Sequence, residues 1–154
     1  MKALLQRVSR GRVTVGGQVA GETGPGLVIL VGVAQGDSAE DARYLVDKTV
    51  NLRIFDDAQG LFNLSALDVR AELLIISQFT LLAATRKGRR PSFTEAAPPA
   101  EPEALFEYFA NQARASGLKV ETGRFRQHMV VEIVNDGPVT IMLDSEERKT
   151  PRRG

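Results

Sequence analysis

A polar patch in the middle of the chain has residue types that could do chemistry. Residues 73–76 are four consecutive aliphatic residues, and Ser77, Gln78 and Thr80 follow them almost directly. Two hydroxyl groups and an amide at the end of a rigid strand can bind a substrate or stabilise a developing charge. The other interpretation is that these side chains only bond to local backbone groups where the strand turns.

Ordinary side-chain catalysis has few candidates in this sequence. The chain has no cysteine and one histidine, His128, which excludes thiolate chemistry and argues against a zinc site. A Ser-His-Asp triad would need His128 and a carboxylate beside Ser77, which lies in no Gly-x-Ser-x-Gly turn. Thr80 without an adjacent base would be a weak nucleophile. An enzyme of this kind would use backbone amides and groups of its substrate, and we expect neither metal nor cofactor.

A second unusual stretch lies near the C-terminus, where Gly137-Pro138 stands directly before the apolar alternation of a strand. A trans proline there would mark an edge or a bend. A cis bond would instead form a fixed projection with exposed carbonyl groups. Near the N-terminus, Arg7 lies in a predicted strand between core residues. It either points to the surface or, if buried, needs carbonyl or carboxylate partners.

The elements that must position these residues predict an α+β fold. At 154 residues, with 43% hydrophobic and 25% charged residues, the chain fits one domain, residues 1–154, with a substantial core. Residues 73–76 and 27–33 are apolar on both faces, which predicts buried strands. Residues 2–10 predict another strand, and Gly16-Gly17 predicts a hairpin turn within residues 12–22.

The rest of the chain predicts two main helices and three last strands. One helix covers residues 39–52, with Asp37 or Ser38 as its cap, and another begins at 101–103 and ends near Gly117. The three strands cover residues 119–122, 128–134 and 139–143, and a polar C-terminal tail covers 144–154. We therefore expect mixed or antiparallel sheets that form a barrel-like core in a single domain.

The net charge is only +1, but the basic residues are clustered. One cluster is Arg86, Lys87, Arg89 and Arg90, and the other is Arg148-Lys149 with Arg152-Arg153. Such clusters are either solvated surface or contacts for a phosphate-bearing partner. The first lies beside a long loop, residues 87–102, of the kind that is functional or mobile. No aromatic residues are interleaved as in a base-stacking surface.

Neither a membrane segment nor a signal peptide is predicted. No apolar segment approaches the roughly 20 residues needed to cross a bilayer. Residues 1–7 turn polar too soon for a signal peptide. We therefore expect a soluble, cytoplasmic protein without a membrane partner.

Together, Ser77-Gln78-Phe79-Thr80-Leu81 and Asn135-Asp136-Gly137-Pro138-Val139-Thr140 closely resemble the two signatures of the D-aminoacyl-tRNA deacylases. The resemblance covers the whole chain, including Leu5-Gln6-Arg7-Val8 and Gly-Arg-Arg-Pro-Ser-Phe at 88–93. It implies hydrolysis of the ester between a D-amino acid and the 3′-terminal adenosine of tRNA, for chiral proofreading in translation. Glycine mischarged on tRNA-Ala would be a second substrate. It also implies a homodimer whose sites lie at the subunit boundary.

The resemblance also implies roles for individual residues. Gly137 and Pro138, joined by a cis bond, would reach the partner's site and exclude L-amino acids, and Arg7 would hold their carbonyl groups. The ribose and the scissile ester would bind at Ser77, Gln78, Phe79 and Thr80. There the N–H groups of Phe79 and Thr80 would face the developing oxyanion, and the tRNA 2′-hydroxyl would assist the attacking water. Met129 lines the pocket or belongs to the core. The tRNA phosphates would contact Arg86, Lys87, Arg89 and Arg90.

Two other functions are compatible with the same residues. The first is an esterase that forms an acyl-enzyme on Thr80 or Ser77. The second is a non-catalytic RNA-binding module that uses the strand end as a docking edge and the arginines as its contacts.

Overall fold

The structure is a computed structural model that describes residues 1–98 and 101–152. The strands are β1 (Lys2–Val15), β2 (Gln18–Thr23), β3 (Gly26–Gly32), β4 (Phe55–Asp56), β5 (Phe62–Leu64), β6 (Glu72–Ser77), β7 (Val120–Thr122) and β8 (Val130–Asp144). The helices are α1 (Ala39–Asn51), α2 (Ala66–Val69) and α3 (Glu101–Ala115), and two 3-10 turns cover Phe79–Leu82 and Ser145–Lys149. No helix among the described residues is both long enough and apolar enough to cross a membrane.

Six of the strands form one strongly curved sheet. Its order is β2-β1-β3-β6-β7, and β8 pairs with β1. The pairs β3–β6 and β6–β7 are parallel, whereas β1 is antiparallel to its three neighbours. The curvature brings β2 back to β7. The two strands are so close that a Cβ atom added at Gly21 would lie 2.8 Å from the Thr122 carbonyl oxygen. The nearly closed sheet confirms the prediction of a mixed, barrel-like core in an α+β fold.

The two apolar runs are buried on both faces, as predicted. On β3 and β6, Ile29 and Ile75 belong to a core beneath α1 and α3, whereas Val28 and Leu74 belong to a second cluster on the other face. Successive strand residues point to opposite faces, so a strand covered on both sides needs apolar side chains at every position. This double coverage holds the end of β6 rigidly.

The predicted hairpin and helices form close to the expected boundaries. Gly16 and Gly17 have φ values of 56° and 79°, which the two-residue turn between β1 and β2 requires. Before α1, the Ser38 N–H donates to the Asp41 carboxylate at 2.9 Å. After α3, Gly117 has a φ of 90°, so the helix ends where the sequence indicates.

The two strands predicted at 128–134 and 139–143 are one strand, β8. Both halves pair with β1, and the register shifts between them. The side chain of Asn135 explains the continuity: it accepts from the Val139 N–H at 2.8 Å and donates to the Val139 carbonyl at 3.1 Å. This amide closes the base of a bulge, residues 136–139, which leaves the ladder opposite Arg7, so both halves of β8 continue in the same direction along β1.

The polar residues after Asp144 are held against the fold by specific contacts, although most of those described beyond Ser145 are exposed. Ser145 is completely buried, and its hydroxyl accepts a hydrogen bond from the Met1 ammonium at 2.9 Å. Arg148 pairs with Asp41 at 3.2 Å, and Lys149 pairs with Glu146 at 2.9 Å. The second basic cluster therefore does not form a free positive surface, since its first two members neutralise carboxylates of the same chain. Arg153 lies outside the described residues.

We predict that the contribution of Asp41 to stability depends on pH. Burial alone would raise the pKa of its carboxyl group, but hydrogen bonds from Ser38, Ser145 and Arg148 outweigh burial and lower the pKa to about 2. A lowered folded-state pKa stabilises the fold above about pH 4, and this contribution is lost as the pH falls towards 2. Asp41→Asn should lower the free energy of unfolding by about 2 kcal/mol at pH 7.

Urea unfolding of the wild type and Asp41→Asn between pH 7 and pH 2.5 measures the difference in their free energies of unfolding. This difference should shrink progressively below about pH 4. Asp47→Asn, on the exposed face of the same helix, is the matched control and should show no comparable change. A difference that stays constant across the range would contradict the prediction.

Candidate functional site

A pocket of about 520 Å³ lies where β6 ends. Ser77, Gln78 and Phe79 line it, so the polar strand end singled out in the sequence faces a cavity. The rest of the lining is mostly apolar, with Val33 and Ala97 among its members. A largely apolar cavity with a few polar groups is typical of a site for a small ligand or for one end of a larger substrate.

The strand end turns sharply after Ser77. The Gln78 N–H completes the pairing with β3 by donating to the Val31 carbonyl at 2.8 Å, and the 3-10 turn begins at Phe79. In residues 1–98 and 101–152, the N–H groups of Phe79 and Thr80 donate to no backbone carbonyl. The Thr80 hydroxyl accepts a hydrogen bond from the Gln78 side chain, and Thr80 does not line the pocket. Two backbone donors at this turn therefore have no acceptor within the described chain.

The histidine of the chain lines the same pocket as Ser77. No Asp or Glu residue is among the described lining residues, and no hydrogen bond to His128 is formed within the described chain. A catalytic triad needs a carboxylate to orient the imidazole. The arrangement of Ser77 and His128 therefore lacks its third member.

Arg7 is buried and acts as a clamp, which decides between the two interpretations of the sequence. Only 8% of Arg7 is exposed. Its Nε donates to the Asp136 carbonyl at 2.8 Å, and its Nη1 donates to the Ile54 carbonyl at 3.0 Å. Nη1 also lies 3.3 Å from the Asp56 carboxylate, and the guanidinium stands 5.5 Å from the centroid of the Phe62 ring. One side chain thus joins β1, the β4–β5 hairpin and the irregular part of β8.

The peptide bond between Gly137 and Pro138 is cis, and both residues are exposed. Neither lines the pocket of its own chain. Within this segment, the carbonyl that Arg7 binds belongs to Asp136, one residue earlier than the resemblance implied. Arg7 therefore positions the segment from its start, and it does not bond to the carbonyl groups of Gly137 or Pro138.

The basic loop is held beside the strand end. Ala84 and Ser92 form a two-way bridge, with N···O distances of 2.7 and 2.9 Å, that closes the loop carrying Arg86, Lys87, Arg89 and Arg90. All four basic side chains are exposed and lie outside the pocket lining. Just after the bridge, the ring of Phe93 meets the ring of Phe79 edge-on, with centroids 5.0 Å apart. The loop is thereby fixed to the turn that carries the candidate catalytic residues.

Several site residues were not predicted from the sequence. The segment that follows Phe93 lines the pocket through Ala96 and Ala97. Gln35 holds this segment, because its Nε2 donates to the Thr94 carbonyl at 3.2 Å. Met129, predicted as either lining or core, is both. The quoted motif at 88–93 includes Phe93, but only the fold shows what its ring contacts. Pro99 and Ala100, in the predicted long loop, lie outside the described residues.

Comparisons with known proteins point to one family. The family model described as D-Tyr-tRNA(Tyr) deacylase matches residues 4–144. The chain is 58% identical over 152 residues to the D-aminoacyl-tRNA deacylase of Dehalococcoides mccartyi (strain CBDB1), covering 99% of each chain. It is 58% identical over 144 residues to the D-aminoacyl-tRNA deacylase of Heliobacterium modesticaldum, covering 94% of this chain and 96% of the relative.

Solved structures have the same fold. The c-Myc DNA Unwinding Element Binding Protein superposes with a TM-score of 0.88 at 39% identity, covering 94% of this chain and 98% of that one. A probable eukaryotic D-amino acid tRNA deacylase superposes with a TM-score of 0.80 over 92% of this chain and 97% of that one, and its 18% identity shows the fold alone.

The barrel, the pocket at its strand end and these relatives define a hydrolase of the D-aminoacyl-tRNA deacylase class. The chain belongs to the D-Tyr-tRNA(Tyr) deacylase family.

We predict that Arg7→Lys destabilises the fold although the charge is kept. A lysine ammonium cannot reproduce the fixed fork of donors that reaches the Asp136 and Ile54 carbonyls together. At least one buried carbonyl would lose its partner, and the free energy of unfolding should fall by about 2–3 kcal/mol. Arg12→Lys is the matched control on the same strand, because Arg12 pairs with Glu22 at the surface. Equal effects of the two substitutions in urea unfolding would contradict the clamp.

Proposed function

We propose that this enzyme hydrolyses the ester between a D-amino acid and the 3′-terminal adenosine of tRNA in the cytoplasm. Its products would be the free amino acid and tRNA, and glycine mischarged on tRNA-Ala would be released in the same way. The observation that carries the proposal is the pocket at Ser77, Gln78 and Phe79, in a chain 58% identical to proteins named D-aminoacyl-tRNA deacylase. The activity would serve chiral proofreading in translation.

The chemistry would depend on backbone donors. The N–H groups of Phe79 and Thr80 have no backbone acceptor within the described chain, and such donors can stabilise the oxyanion of a tetrahedral intermediate without reorganising. The pocket offers no carboxylate as a general base among its described residues. The resemblance to the family implies that the 2′-hydroxyl of the terminal ribose would assist the attacking water, which fits this shortage of carboxylates. The side chains of Ser77, Gln78 and Thr80 would orient the ribose and the ester.

A homodimer would complete each site. Gly137 and Pro138 are exposed and lie outside the pocket of their own chain. Apolar side chains are also exposed along β8 and on the β4–β5 hairpin, as an interface between copies of this chain would require. These are Leu61, Phe62, Val130, Val134 and Met142.

The partner's Gly137-Pro138 backbone would then form one wall of the pocket. An L side chain would collide with this wall, a D side chain would point away from it, and glycine has no side chain to exclude. Arg7 would hold the wall through its bond to the Asp136 carbonyl. Selection would therefore depend on main-chain atoms, which a change of rotamer cannot move.

The basic loop would bind the acceptor stem. Arg86, Lys87, Arg89 and Arg90 are exposed and form no ion pair among the described residues. Their loop is fixed to the site through the contact between Phe93 and Phe79. Phosphate contacts of this kind would make substrate binding weaken steeply with salt.

The proposed activity predicts hydrolysis of D-aminoacyl-tRNA and rejection of its mirror form. Purified protein is mixed with D-tyrosyl-tRNA or L-tyrosyl-tRNA, and the release of free tyrosine is measured under single-turnover conditions. The D ester should be cleaved many times faster than the L ester because only the L side chain meets the wall. Binding of tRNA without cleavage would support the RNA-binding module instead.

The terminal 2′-hydroxyl of the substrate distinguishes the proposed mechanism from an esterase that forms an acyl-enzyme. Thr80→Ala should keep much of the rate on D-tyrosyl-tRNA, whereas a tRNA that lacks the terminal 2′-hydroxyl should be cleaved poorly. An acyl-enzyme on Thr80 predicts the reverse pattern, because the nucleophile would be lost in the variant and retained with the modified tRNA. Circular dichroism of Thr80→Ala checks that the fold is intact.

The shared site predicts that two inactive variants restore activity when mixed. Ala97→Trp would fill the pocket, and Pro138→Trp would project into the pocket of the partner. Each variant alone should be inactive. After unfolding and refolding together, about half of the dimers are mixed and each has one intact site, so about a quarter of the wild-type rate should return. If Pro138 acted on its own chain, both sites of every mixed dimer would stay blocked and no activity would return.

A further inference from the structure

Three polar residues at the pocket have no role in the chemistry described above. Arg126, Gln127 and His128 lie between β7 and β8, line the pocket and are exposed to solvent. The described lining contains no acidic residue that could repel an anion. The pocket thus has a cationic and hydrogen-bonding rim, in addition to the hydroxyl and amide groups at the end of β6.

The backbone at Arg126 has an unusual conformation for a residue with a side chain. Its φ is 64°, and the Gln127 N–H donates to the Arg124 carbonyl at 3.3 Å, so Arg126 is the third residue of a tight turn. Glycine or asparagine is the usual residue at a turn position with positive φ. An arginine there costs roughly 1 kcal/mol relative to glycine.

Contacts within the described chain do not account for this cost. Arg70 is the other such residue outside glycine, with a φ of 51°, but it caps α2 and its N–H bonds to the helix carbonyls. The Arg126 side chain forms neither an ion pair nor a hydrogen bond with residues 1–98 and 101–152. A strained residue that lines a cavity and whose cationic side chain has no partner among the described residues points to a ligand.

We propose that Arg126 and His128 bind the phosphate group on the 5′ side of the terminal adenosine. This inference rests on the proposed function, since it concerns the same substrate at the same pocket. The phosphate is attached to the ribose that carries the ester. When the ester lies at Ser77, the charged phosphate cannot enter the apolar part of the pocket and stays at its rim. A guanidinium and an imidazole N–H are suitable donors to it there.

This contact would differ in purpose from those of the basic loop. The loop residues lie outside the pocket lining and would meet phosphates along the acceptor stem. Arg126 would instead fix the last nucleotide relative to the turn at Phe79. The rim contact should therefore be measurable on a substrate of one nucleotide, for which the loop has no partner.

The test compares two small esters that differ only in that phosphate. One is adenosine carrying D-tyrosine on its ribose, and the other is adenosine 5′-monophosphate carrying the same ester. The wild type should hydrolyse the phosphate-bearing ester with a kcat/KM about three- to tenfold higher. Arg126→Gly should remove most of this preference, since His128 alone would remain at the phosphate, and Arg126→Lys, which keeps the charge, should retain more of it.

Arg124→Ala is the matched control, because Arg124 is an exposed arginine of the same turn that does not line the pocket. Its preference should equal that of the wild type. The melting temperature of Arg126→Gly should be no lower than that of the wild type, since glycine suits the turn. A lower value would indicate a structural role for the arginine and overturn the inference.

The outcomes separate this inference from the proposed function. If the wild type hydrolyses D-tyrosyl-tRNA but cleaves both small esters equally well, the rim contact is refuted and the deacylase activity stands. The same holds if the preference is undiminished in Arg126→Gly. If D-tyrosyl-tRNA itself is not hydrolysed, the proposed function fails first.

Discussion

The buried guanidinium of Arg7 is the contact on which the arrangement around the site depends. It binds the Asp136 carbonyl on one side and the Ile54 carbonyl on the other, and the Asp56 carboxylate balances its charge. A buried charge without such partners would cost several kcal/mol, so the three groups and the arginine stabilise one another. The result is a fixed relation between the first strand, a surface hairpin and the segment that presents Gly137-Pro138.

The site itself is built from main-chain groups placed by rigid elements. The end of β6 cannot shift easily, because the strand is covered by apolar side chains on both faces and pairs with parallel strands on both edges. The N–H groups of Phe79 and Thr80 follow directly after this strand, so their positions are fixed with it. Under the proposed function, oriented backbone dipoles would stabilise the developing charge in a chain that has no cysteine and one histidine, because such dipoles need neither a nucleophile nor a metal.

The basic residues divide into two groups with different partners. Arg148 pairs with carboxylates of α1 and so fastens the C-terminal residues to the fold, whereas Lys149 pairs with Glu146 of its own turn. The loop from Arg86 to Arg90 and the rim residue Arg126 keep their charges exposed near the pocket. A net charge of +1 hides this division, because it sums charges that are already paired with charges that are available to a polyanion.

The sequence by itself determined the local elements and the resemblance. Gly16-Gly17 specifies a tight hairpin turn, the apolar runs specify strands buried on both faces, and the motifs at residues 77–81 and 135–140 indicate the family. Each of these depends on neighbouring residues, whose conformational preferences can be read without knowing the fold.

The tertiary structure alone decided what depends on residues far apart in the chain. It selected Asp136 as the partner of Arg7, 129 residues away, and Asp41 as the partner of Arg148, 107 residues away. It also joined the two last predicted strands through the Asn135 side chain and brought Arg126 and His128 to the pocket of Ser77. Such contacts depend on the closure of the barrel, and neither periodicity nor composition specifies which distant groups that closure brings together.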